Sequence, residues 1–566
     1  MSESVTMILD INYYRNNYFL DPKGSNAELF LNQANKILVK LLSMYTGKDF
    51  QIDMKLNEGD FTTQIKVRDE TSTEQIKRKV AKFGYKMPEH GVSLDHLRDD
   101  LSDLLSSEIC FNPEFIGQMH PHDNIASFVA GIAGKFLNGN TIAEEVSRVT
   151  TYLEKQTIAW LAQSFGYKPD ISWMTTVVDR KPLASGNITA GGTTANLTAL
   201  IVARNKAFPD ELFTIGAAHA GLHDAAVVFG SEYSHYSIEK LCGYIGIGSD
   251  NFKKIKAPDK RMLLRGTDSL EEKMWHAGRI KKKVVAVVAT AGLTETGNID
   301  DLYGIKKLID KFEREFGYRP HFHVDAAHGG GFIFHPDFNI RDGKFKGIQH
   351  ADSITIDPHK MLYVHYTAGA ILFKDRKDHA LLKQNADYLF KNNGCNDLGQ
   401  FRVEGSMGLE GALQTWASLY ALGKEGYQVI QDHVLQMTAY MKQQIKGNPN
   451  FQLLHYPEMN LLAFRYYNPR FSEPLNDEIN SKAQKVMYDR GNAYISNDGL
   501  LHRKDESDPG RKMQVFRAVV IHPYTTEKEI DLALNEVTMS VEKVLDEIAL
   551  NAAYAKNKFE PIPVGG

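Results

Sequence analysis

The feature that most constrains the fold is a series of five short apolar runs in the centre of the chain, each ending in turn-forming or polar residues. Helical patterns separate the runs, which are short enough to be strands. Strands that alternate with helices form a largely parallel sheet covered by helices. The sequence therefore predicts an α/β fold. The runs are AAVVFG (225–230), VVAVVATAG (284–292), HFHVDAA (321–327), SITID (353–357) and GAILFKD (369–375).

The regions that flank this centre predict two further parts. Apolar residues recur at helical spacing over 28–45, and a second amphipathic segment covers 91–107. Beyond Gly405 a long helical pattern leads into the strand-like runs FQLLH and LLAFRYY. We therefore expect a helical N-terminal arm (1–110), a large domain (111–424) and a small C-terminal α/β domain (425–566), which is compatible with a chain of 566 residues.

Charge and cysteine content limit the classes of partner. Lys plus Arg number 66 against 70 Asp plus Glu, a net charge of −4, so no overall field attracts nucleic acid or an anionic membrane. No apolar stretch approaches the roughly 18 residues of a membrane span, and the N-terminus lacks the pattern of a signal peptide. Cys110, Cys242 and Cys395 are odd in number and far apart, which fits no disulfide framework. We expect a cytoplasmic protein.

A glycine pair and two hydroxyl residues stand directly before a predicted helix. In SGNITAGGTTANL (185–197) the two adjacent glycines precede Thr193 and Thr194. A helix N-terminus offers free backbone N–H groups and the positive end of the helix dipole, so hydroxyls there suit a phosphate. An ordinary turn with either threonine as N-cap explains the same residues. The segment is not a P-loop, because no Gly-Lys-Ser/Thr sequence ends it.

Two histidines on one predicted strand admit a metal-site interpretation. His321 and His323 are alternate residues, so their imidazoles share one strand face and could bind zinc. No third ligand is evident, and Asp325 equally suits the open rim of an α/β active site, where strands end. The pair His120 and His122 is similarly ambiguous. We predict no metal site.

A lysine follows the fourth apolar run. The segment DSITIDPHK (352–360) ends a strand with His359 and Lys360. A solvated lysine at a strand exit is one interpretation, but lysine also forms a Schiff base with an aldehyde when burial or neighbouring cations lower its pKa. A phosphate site, an aspartate for a pyridinium nitrogen and a lysine for an imine are together what pyridoxal 5′-phosphate requires. The three signals combined predict that cofactor.

The same segments resemble the group II pyridoxal-phosphate-dependent amino-acid decarboxylases, a family that includes glutamate, aspartate, aromatic and bacterial tyrosine decarboxylases. The resemblance rests on DSITIDPHKMLYVHYTAGAILFKD (352–375), HVDAAHGGG (323–331) and TAGGTTANL (189–197), and it covers about 110–545. It implies a fold-type-I homodimer with an N-terminal arm, a large cofactor domain and a small C-terminal domain. The active site would lie at the subunit interface.

The resemblance also implies roles for individual residues. Lys360 would hold the cofactor as a Schiff base, and Asp325 would pair with the pyridine nitrogen, so that the ring accepts the electron pair left by CO₂. Ala327 and His235 would lie on opposite faces of the ring, with Thr294 nearby. The phosphate would be bound by Thr193, Thr194, Ser353 and His359.

Substrate contacts are implied for the loop NPEFIGQMHPHDN (112–124) and for one C-terminal arginine. Gln118 in this loop favours an acidic substrate, and His120 would lie on the same side. Arg517 would bind the substrate carboxylate, because a guanidinium can donate two parallel hydrogen bonds to it. Against an acidic substrate, residues 137–167 resemble the bacterial tyrosine branch, and Val519 is apolar where a hydroxyl would suit a phenol.

A tyrosine is expected to return a proton to Cα after CO₂ leaves. Tyr366, six residues after Lys360, is our choice, and Tyr388 is the alternative. We expect an L-amino-acid decarboxylase that uses pyridoxal phosphate, with glutamate or aspartate ahead of an aromatic substrate. An aldehyde-forming lyase on the same fold and a non-enzymatic dimeric relative are the rival interpretations.

Overall fold

The computed structural model describes residues 10–46, 67, 71–172, 174, 183–209, 212–384, 386, 390, 397–501 and 512–558. The helices are α1 (Ile11–Tyr18), α2 (Ala27–Thr46), α3 (Thr73–Ala81), α4 (Leu94–Leu105), α5 (Ile125–Leu137), α6 (Thr150–Ser164), α7 (Gly192–Ala207), α8 (Leu212–His219), α9 (Leu222–Ala225), α10 (Tyr236–Tyr244), α11 (Leu270–Arg279), α12 (Leu302–Phe316), α13 (Arg376–His379), α14 (Glu410–Gly447), α15 (Glu473–Arg490) and α16 (Glu527–Lys558).

The strands are β1 (Ser185–Thr189), β2 (Ala226–Ser231), β3 (Phe252–Ile255), β4 (Lys283–Thr290), β5 (His321–Asp325), β6 (Ser353–Ile356), β7 (Gly369–Phe373), β8 (Phe451–Leu453), β9 (Leu461–Tyr466), β10 (Ser496–Leu501) and β11 (Lys512–Val519). The five predicted runs correspond to β2, β4, β5, β6 and β7.

The chain divides into two compact units. The first unit comprises Met1–Glu58, His122–His433 and Pro457–Met459, and the second comprises Gly59–Pro121, Val434–Tyr456 and Asn460–Gly566. Residues of the predicted arm thus belong to both units. The two predicted domain boundaries stay predictions.

The first unit is built on a seven-stranded sheet with the order β1-β7-β6-β5-β4-β2-β3. β7 runs antiparallel to both of its neighbours, whereas the other paired strands are parallel. Its central strands are buried along their whole length, as strands covered on both faces must be. The predicted α/β class is therefore confirmed.

This topology gathers several chain segments at one edge of the sheet. β1, β2, β4, β5 and β6 all point the same way, because β7 is antiparallel to β1 and to β6. Their carboxyl ends therefore meet at one edge, which is where ligands bind in open α/β sheets. The start of α7 follows β1 at this edge, and in-register pairing sets the end of β4 beside the end of β5, with Thr290 opposite Asp325.

The second unit contains a four-stranded antiparallel sheet with the order β10-β11-β9-β8. Its core joins side chains of the sheet to those of α15 and α16, among them Phe464, Phe516, Ile479, Met487 and Val537. None of the helices in the described residues combines the length and apolar character that crossing a membrane requires.

Candidate active site

The turn that begins α7 supplies a cradle of backbone N–H groups and hydroxyls. Thr193 and Thr194 lie in the first turn of the helix, half-buried, where backbone N–H groups have no partner within the helix. A Cβ atom on Gly192 would stand only 2.7 Å from Asp357 Oδ2 and 3.2 Å from Ala327 Cβ. Glycine is therefore required here for the close approach of the turn to the strand ends.

Lys360 lies in the loop after β6, paired with a buried carboxylate. Its Nζ is 3.0 Å from Asp357 Oδ2, and His359 Nε2 is 3.7 Å from the same oxygen. Burial acts to lower the pKa of Lys360, but the charge and hydrogen bond of Asp357 outweigh it, and the pKa is raised. Burial lowers the pKa of His359, although Asp357 opposes this. Asp357 is thus the counter-ion of both basic groups.

Asp325 ends β5 with both carboxylate oxygens held. Oδ2 accepts a hydrogen bond from Asn196 Nδ2 at 2.9 Å, and Oδ1 accepts one from the backbone N–H of Ala327 at 3.1 Å. Electrostatic interactions link it to Lys360 and to His235. Two donors fix the plane of the carboxylate, so the group is oriented as well as charged.

His235 precedes α10 and caps it. Its Nδ1 is 2.8 Å from Ser237 Oγ and accepts from the backbone N–H of that residue at 3.4 Å. Burial lowers the pKa of His235, with Asp325 opposing, which favours a neutral imidazole with its proton on Nε2. Thr294, half-buried, lies in the turn that follows β4.

Tyr366 shares the loop of Lys360. Its ring centroid is 4.1 Å from that of His359, while 56% of the residue is exposed. Its electrostatic effect on the pKa of Lys360 also links the phenol to the amine. Tyr388, the predicted alternative, lies outside the described residues.

Ser353 lies elsewhere than the resemblance implies. It begins β6, fully buried, and its Oγ is 2.8 Å from both His321 Nε2 and His323 Nδ1. A phosphate role for Ser353 finds no support in this geometry, because its hydroxyl is already engaged by two imidazoles inside the sheet. The same contacts account for the two histidines without a metal. Among the described residues there is no group of three side chains suited to hold a metal ion.

The predicted substrate residues Gln118, His120 and Arg517 belong to the second unit. Arg517 contacts the Gly117 carbonyl oxygen at 3.3 Å and Ser496 Oγ at 3.2 Å. It also lies 3.6 Å from a carboxylate oxygen of Asp498. The ring of His120 packs against Phe111, with 4.4 Å between centroids.

Tyr494 links two of these substrate residues. Burial raises the pKa of its phenol, whereas the charge of Arg517 and a hydrogen bond with Gln118 oppose that rise. A Cβ atom on Gly117 would lie 2.3 Å from the Tyr494 ring, so only glycine admits the ring at this point. Nothing in the sequence signals the role of Tyr494, because its hydrogen bond with Gln118 joins residues far apart in the chain.

Sequence reasoning also missed Asp357 and Asn196. Asp357 stands in the quoted Asp-Pro-His-Lys segment, so a search for the charge partner of Lys360 could have found it. Asn196 had no such signal, because it contacts Asp325 from 129 positions away.

The chain matches the family model described as the pyridoxal-dependent decarboxylase conserved domain over residues 77–467. An aspartate 1-decarboxylase of Aliivibrio fischeri is 31% identical over 480 residues, which cover 80% of this chain and 84% of that protein. An L-2,4-diaminobutyrate decarboxylase of Rhizobium meliloti is 29% identical over 400 residues, which cover 69% and 73%.

Solved structures share the fold. Mouse CSAD in its apo form has a TM-score of 0.72 at 21% identity, with 91% of this chain and 98% of that chain covered. Oryza sativa TDC with PLP and tryptamine has a TM-score of 0.72 at 19% identity, with 93% and 99% covered. The chain belongs to the pyridoxal-dependent decarboxylase family. It is a pyridoxal-phosphate-dependent amino-acid decarboxylase of fold type I, as the resemblance predicted.

The residues at the sheet edge fit this cofactor. The cradle that a Cβ on Gly192 would fill lies beside two hydroxyls and the N-terminus of α7, which suit a phosphate. Lys360 supplies the amine, and Asp325 supplies an oriented carboxylate.

Proposed function

We propose that the chain decarboxylates an acidic L-amino acid, aspartate or glutamate, to an amine and CO₂. The observation that carries this choice is the donor group around Tyr494, where Arg517 and Gln118 act on the same phenol. Guanidinium and amide groups donate hydrogen bonds to carboxylates, which favours a substrate with a carboxylate side chain over an aromatic one. The aspartate 1-decarboxylase at 31% identity supports the same choice.

The cofactor residues have separate tasks in this proposal. When bound, pyridoxal phosphate supplies an aldehyde and a ring that accepts the electron pair released with CO₂. Lys360 would hold the cofactor through its amine, and Thr193 and Thr194 would bind the phosphate with the N–H groups of α7. Asp325 holds a proton on the ring nitrogen through its oriented carboxylate. These tasks leave Ser353 without a phosphate role.

Further side chains complete the cofactor environment. His359, tied to the loop backbone by a 2.5 Å contact between Nδ1 and the Ala368 carbonyl oxygen, presents Nε2 on the side of Asp357. His235 and Ala327 would hold the ring between them, and Thr294 would lie nearby. A confined ring permits one bond of the substrate to align with the π system, which is the positioning that separates loss of CO₂ from loss of the Cα proton.

The proton that returns to Cα is held by Tyr366. The phenol lies against His359 and remains half-exposed, so it can reach substrate without a rearrangement of the sheet. Tyr366→Phe is expected to slow amine formation by about 10²-fold or more, as loss of a general acid does, or to divert product to aldehyde. Unchanged amine formation would transfer the task to Tyr388 or to another donor.

The proposal is tested by product analysis of the cofactor-loaded protein. L-Aspartate, L-glutamate, L-2,4-diaminobutyrate and L-tyrosine are supplied separately, and amine and CO₂ are quantified by mass spectrometry. One acidic amino acid should yield amine and CO₂ in equal amounts, and Lys360→Ala should yield none. Preference for diaminobutyrate or tyrosine would contradict the acidic substrate, and aldehyde as main product would contradict simple decarboxylation.

Gln118 offers a direct test of specificity. Gln118→His replaces the amide donor by an imidazole. We expect the ratio of kcat/KM for the acidic substrate to kcat/KM for tyrosine to fall by about 10-fold or more. Gln484→His, which alters another hydrogen-bond partner of Tyr494, is the matched control. An unaltered ranking of substrates would remove Gln118 from the substrate site.

Three wider expectations rest on the resemblance and belong to this proposal. The protein is a homodimer with its active site at the subunit interface, it acts in the cytoplasm, and its chain comprises an arm, a large domain and a small domain. Sedimentation of the cofactor-loaded protein tests the first, with a monomer as the contradicting result.

A further inference from the structure

A continuous chain of buried hydrogen bonds leads through the first unit to Asp325. His321 Nε2 is 2.8 Å from Ser353 Oγ, which is 2.8 Å from His323 Nδ1. His323 Nε2 is 2.9 Å from Asn196 Oδ1, and Asn196 Nδ2 donates to Asp325 Oδ2 at 2.9 Å. We name His321, Ser353, His323 and Asn196 the relay. Each of its members is at least 98% buried.

The direction of every hydrogen bond follows from the carboxylate at its end. Asn196 donates from its NH₂ group to Asp325 Oδ2, so its amide oxygen, which only accepts, faces His323 Nε2. Burial lowers the pKa of His323 to about 4, so at neutral pH the ring is neutral and has one donor nitrogen. That donor is Nε2, which faces the amide oxygen, and Nδ1 is therefore an acceptor.

The same reasoning fixes the other half of the relay. Ser353 must donate its hydroxyl proton to His323 Nδ1, and its oxygen then accepts from His321 Nε2. Burial lowers the pKa of His321 to about 3, so this ring is neutral as well. Its Nδ1 is buried and has no hydrogen-bond partner among the described residues, as expected for the acceptor end of a one-way chain.

We propose that the relay is a directional hydrogen-bond chain that holds Asp325 as an ionised, oriented carboxylate and so keeps the proton on the cofactor ring nitrogen. The proposal rests on the pairing of Asp325 with that nitrogen given above. Aligned hydrogen bonds polarise one another in a low-dielectric interior, and all the N–H and O–H dipoles here point their positive ends toward the carboxylate. The relay residues are positioning residues, since none of them contacts substrate in this account.

The relay matters because other charges also act on Asp325. Lys360 and His235 also interact electrostatically with Asp325, and both lie outside the strands. The relay residues instead lie in β5, β6 and α7. The relay therefore stabilises the carboxylate from within the regular secondary structure.

The test measures where the proton lies, using pyridoxal phosphate labelled with ¹⁵N in its ring. The ¹⁵N chemical shift of the bound ring distinguishes protonated from unprotonated nitrogen without reference to activity. Asn196→Leu removes the donor to Asp325, and Ser353→Ala interrupts the relay at its centre by deletion of one oxygen. Ser185→Ala is the matched control, because Ser185 Oγ lies 2.8 Å from the buried His379 Nδ1 in the same sheet, outside the relay.

The wild-type ring nitrogen should carry the proton. The ratio of ring protonated on nitrogen to ring with the proton on Asp325 should fall about tenfold in Asn196→Leu and about threefold in Ser353→Ala. In both variants the averaged ¹⁵N resonance of the ring should move toward the value of unprotonated nitrogen. Ser185→Ala should keep the wild-type resonance. An unmoved resonance in a folded, cofactor-loaded relay variant would overturn the relay alone. An unprotonated ring in the wild type would instead overturn the pairing of Asp325 on which the proposed function depends.

Discussion

Asp357→Asn removes the charge that holds Lys360 protonated before cofactor arrives. The two groups are 3.0 Å apart, with side-chain exposures of 3% for Asp357 and 21% for Lys360. At an effective dielectric constant near 20, two unit charges at this distance attract by roughly 5 kcal/mol. Water at the partly exposed amine screens this attraction, so we expect removal of the charge to cost the protonated amine about 1.4–3 kcal/mol and to lower the pKa of Lys360.

The sign of the effect on reactivity follows from the raised pKa of Lys360. Only the unprotonated amine attacks an aldehyde, so a raised pKa reduces the reactive fraction at a given pH. Without the Asp357 charge, burial acts with less opposition and lowers that pKa. Below the pKa, each unit of decrease gives about ten times more free amine, so Asp357→Asn should capture pyridoxal phosphate about 10–100-fold faster at pH 7.5.

The assay is stopped-flow absorbance of lysine-bound cofactor, recorded with cofactor-free protein from pH 6 to pH 10. Because the pKa of Lys360 is raised from an ordinary value near 10.5, the wild-type rate should still rise at pH 10, and the Asp357→Asn rate should lie about 10–100-fold above it at neutral pH. Asp170→Asn removes a carboxylate paired with Arg376 at 3.1 Å in the same unit and should leave the profile unchanged. A profile for Asp357→Asn that coincides with the wild type, or moves to higher pH, would refute the counter-ion role.

Two further predictions concern stability. Arg402 and Glu154 form an ion pair with both side chains at most 1% exposed. Arg402→Met would leave the Glu154 charge buried without its partner and should lower the free energy of unfolding, measured by urea titration, by about 3–5 kcal/mol. A loss below about 1 kcal/mol would contradict this. The pKa values of His321 and His323, about 3 and 4, lie below the unfolded value near 6.5, so the unfolded state binds protons first as pH falls. Above pH 6.5 these two groups should leave the free energy of unfolding unchanged. Between about pH 6.5 and pH 4 each imidazole should lower it by about 1.4 kcal/mol per pH unit, and His323→Phe should reduce that slope.

The apolar strands could be predicted from sequence, but two strands of the same sheet could not. β1 has the sequence SGNIT and carries buried Asn187 and Thr189, whose side chains bond to nearby backbone oxygens. β3 has the sequence FKKI, with its two central lysines exposed at the sheet edge. Neither strand has an apolar pattern. In β1 local hydrogen bonds satisfy the buried polar side chains, and in β3 the edge position leaves the lysines in contact with solvent. Helix ends depend on contacts between residues close in the chain, as at α4, where Ser93 accepts a hydrogen bond from the backbone N–H of His96.

The candidate site divides in the same way. Lys360, Asp325 and the threonines of α7 were predicted because their chemistry is intrinsic to the residue type and its place at a strand or helix end. Ser353 was assigned to the phosphate only through the resemblance, and in the structure its hydroxyl contacts two imidazoles instead. Only the register of β5 against β6, which pairs Ser353 with His323, reveals its true partners. Residues that act through others thus become visible only in three dimensions.

The single antiparallel strand of the first sheet accounts for how the site is assembled. After Lys360 the chain must return to the sheet, and β7 does so between β6 and β1. A Cβ atom on Gly369, where β7 begins, would lie 2.5 Å from the carbonyl carbon of Gly191, so two glycines allow the loop and the start of α7 to touch. The loop is closed on itself by the contact of His359 with Ala368. The amine and the phosphate cradle therefore have a fixed separation, which a parallel strand with a long crossover connection would not impose.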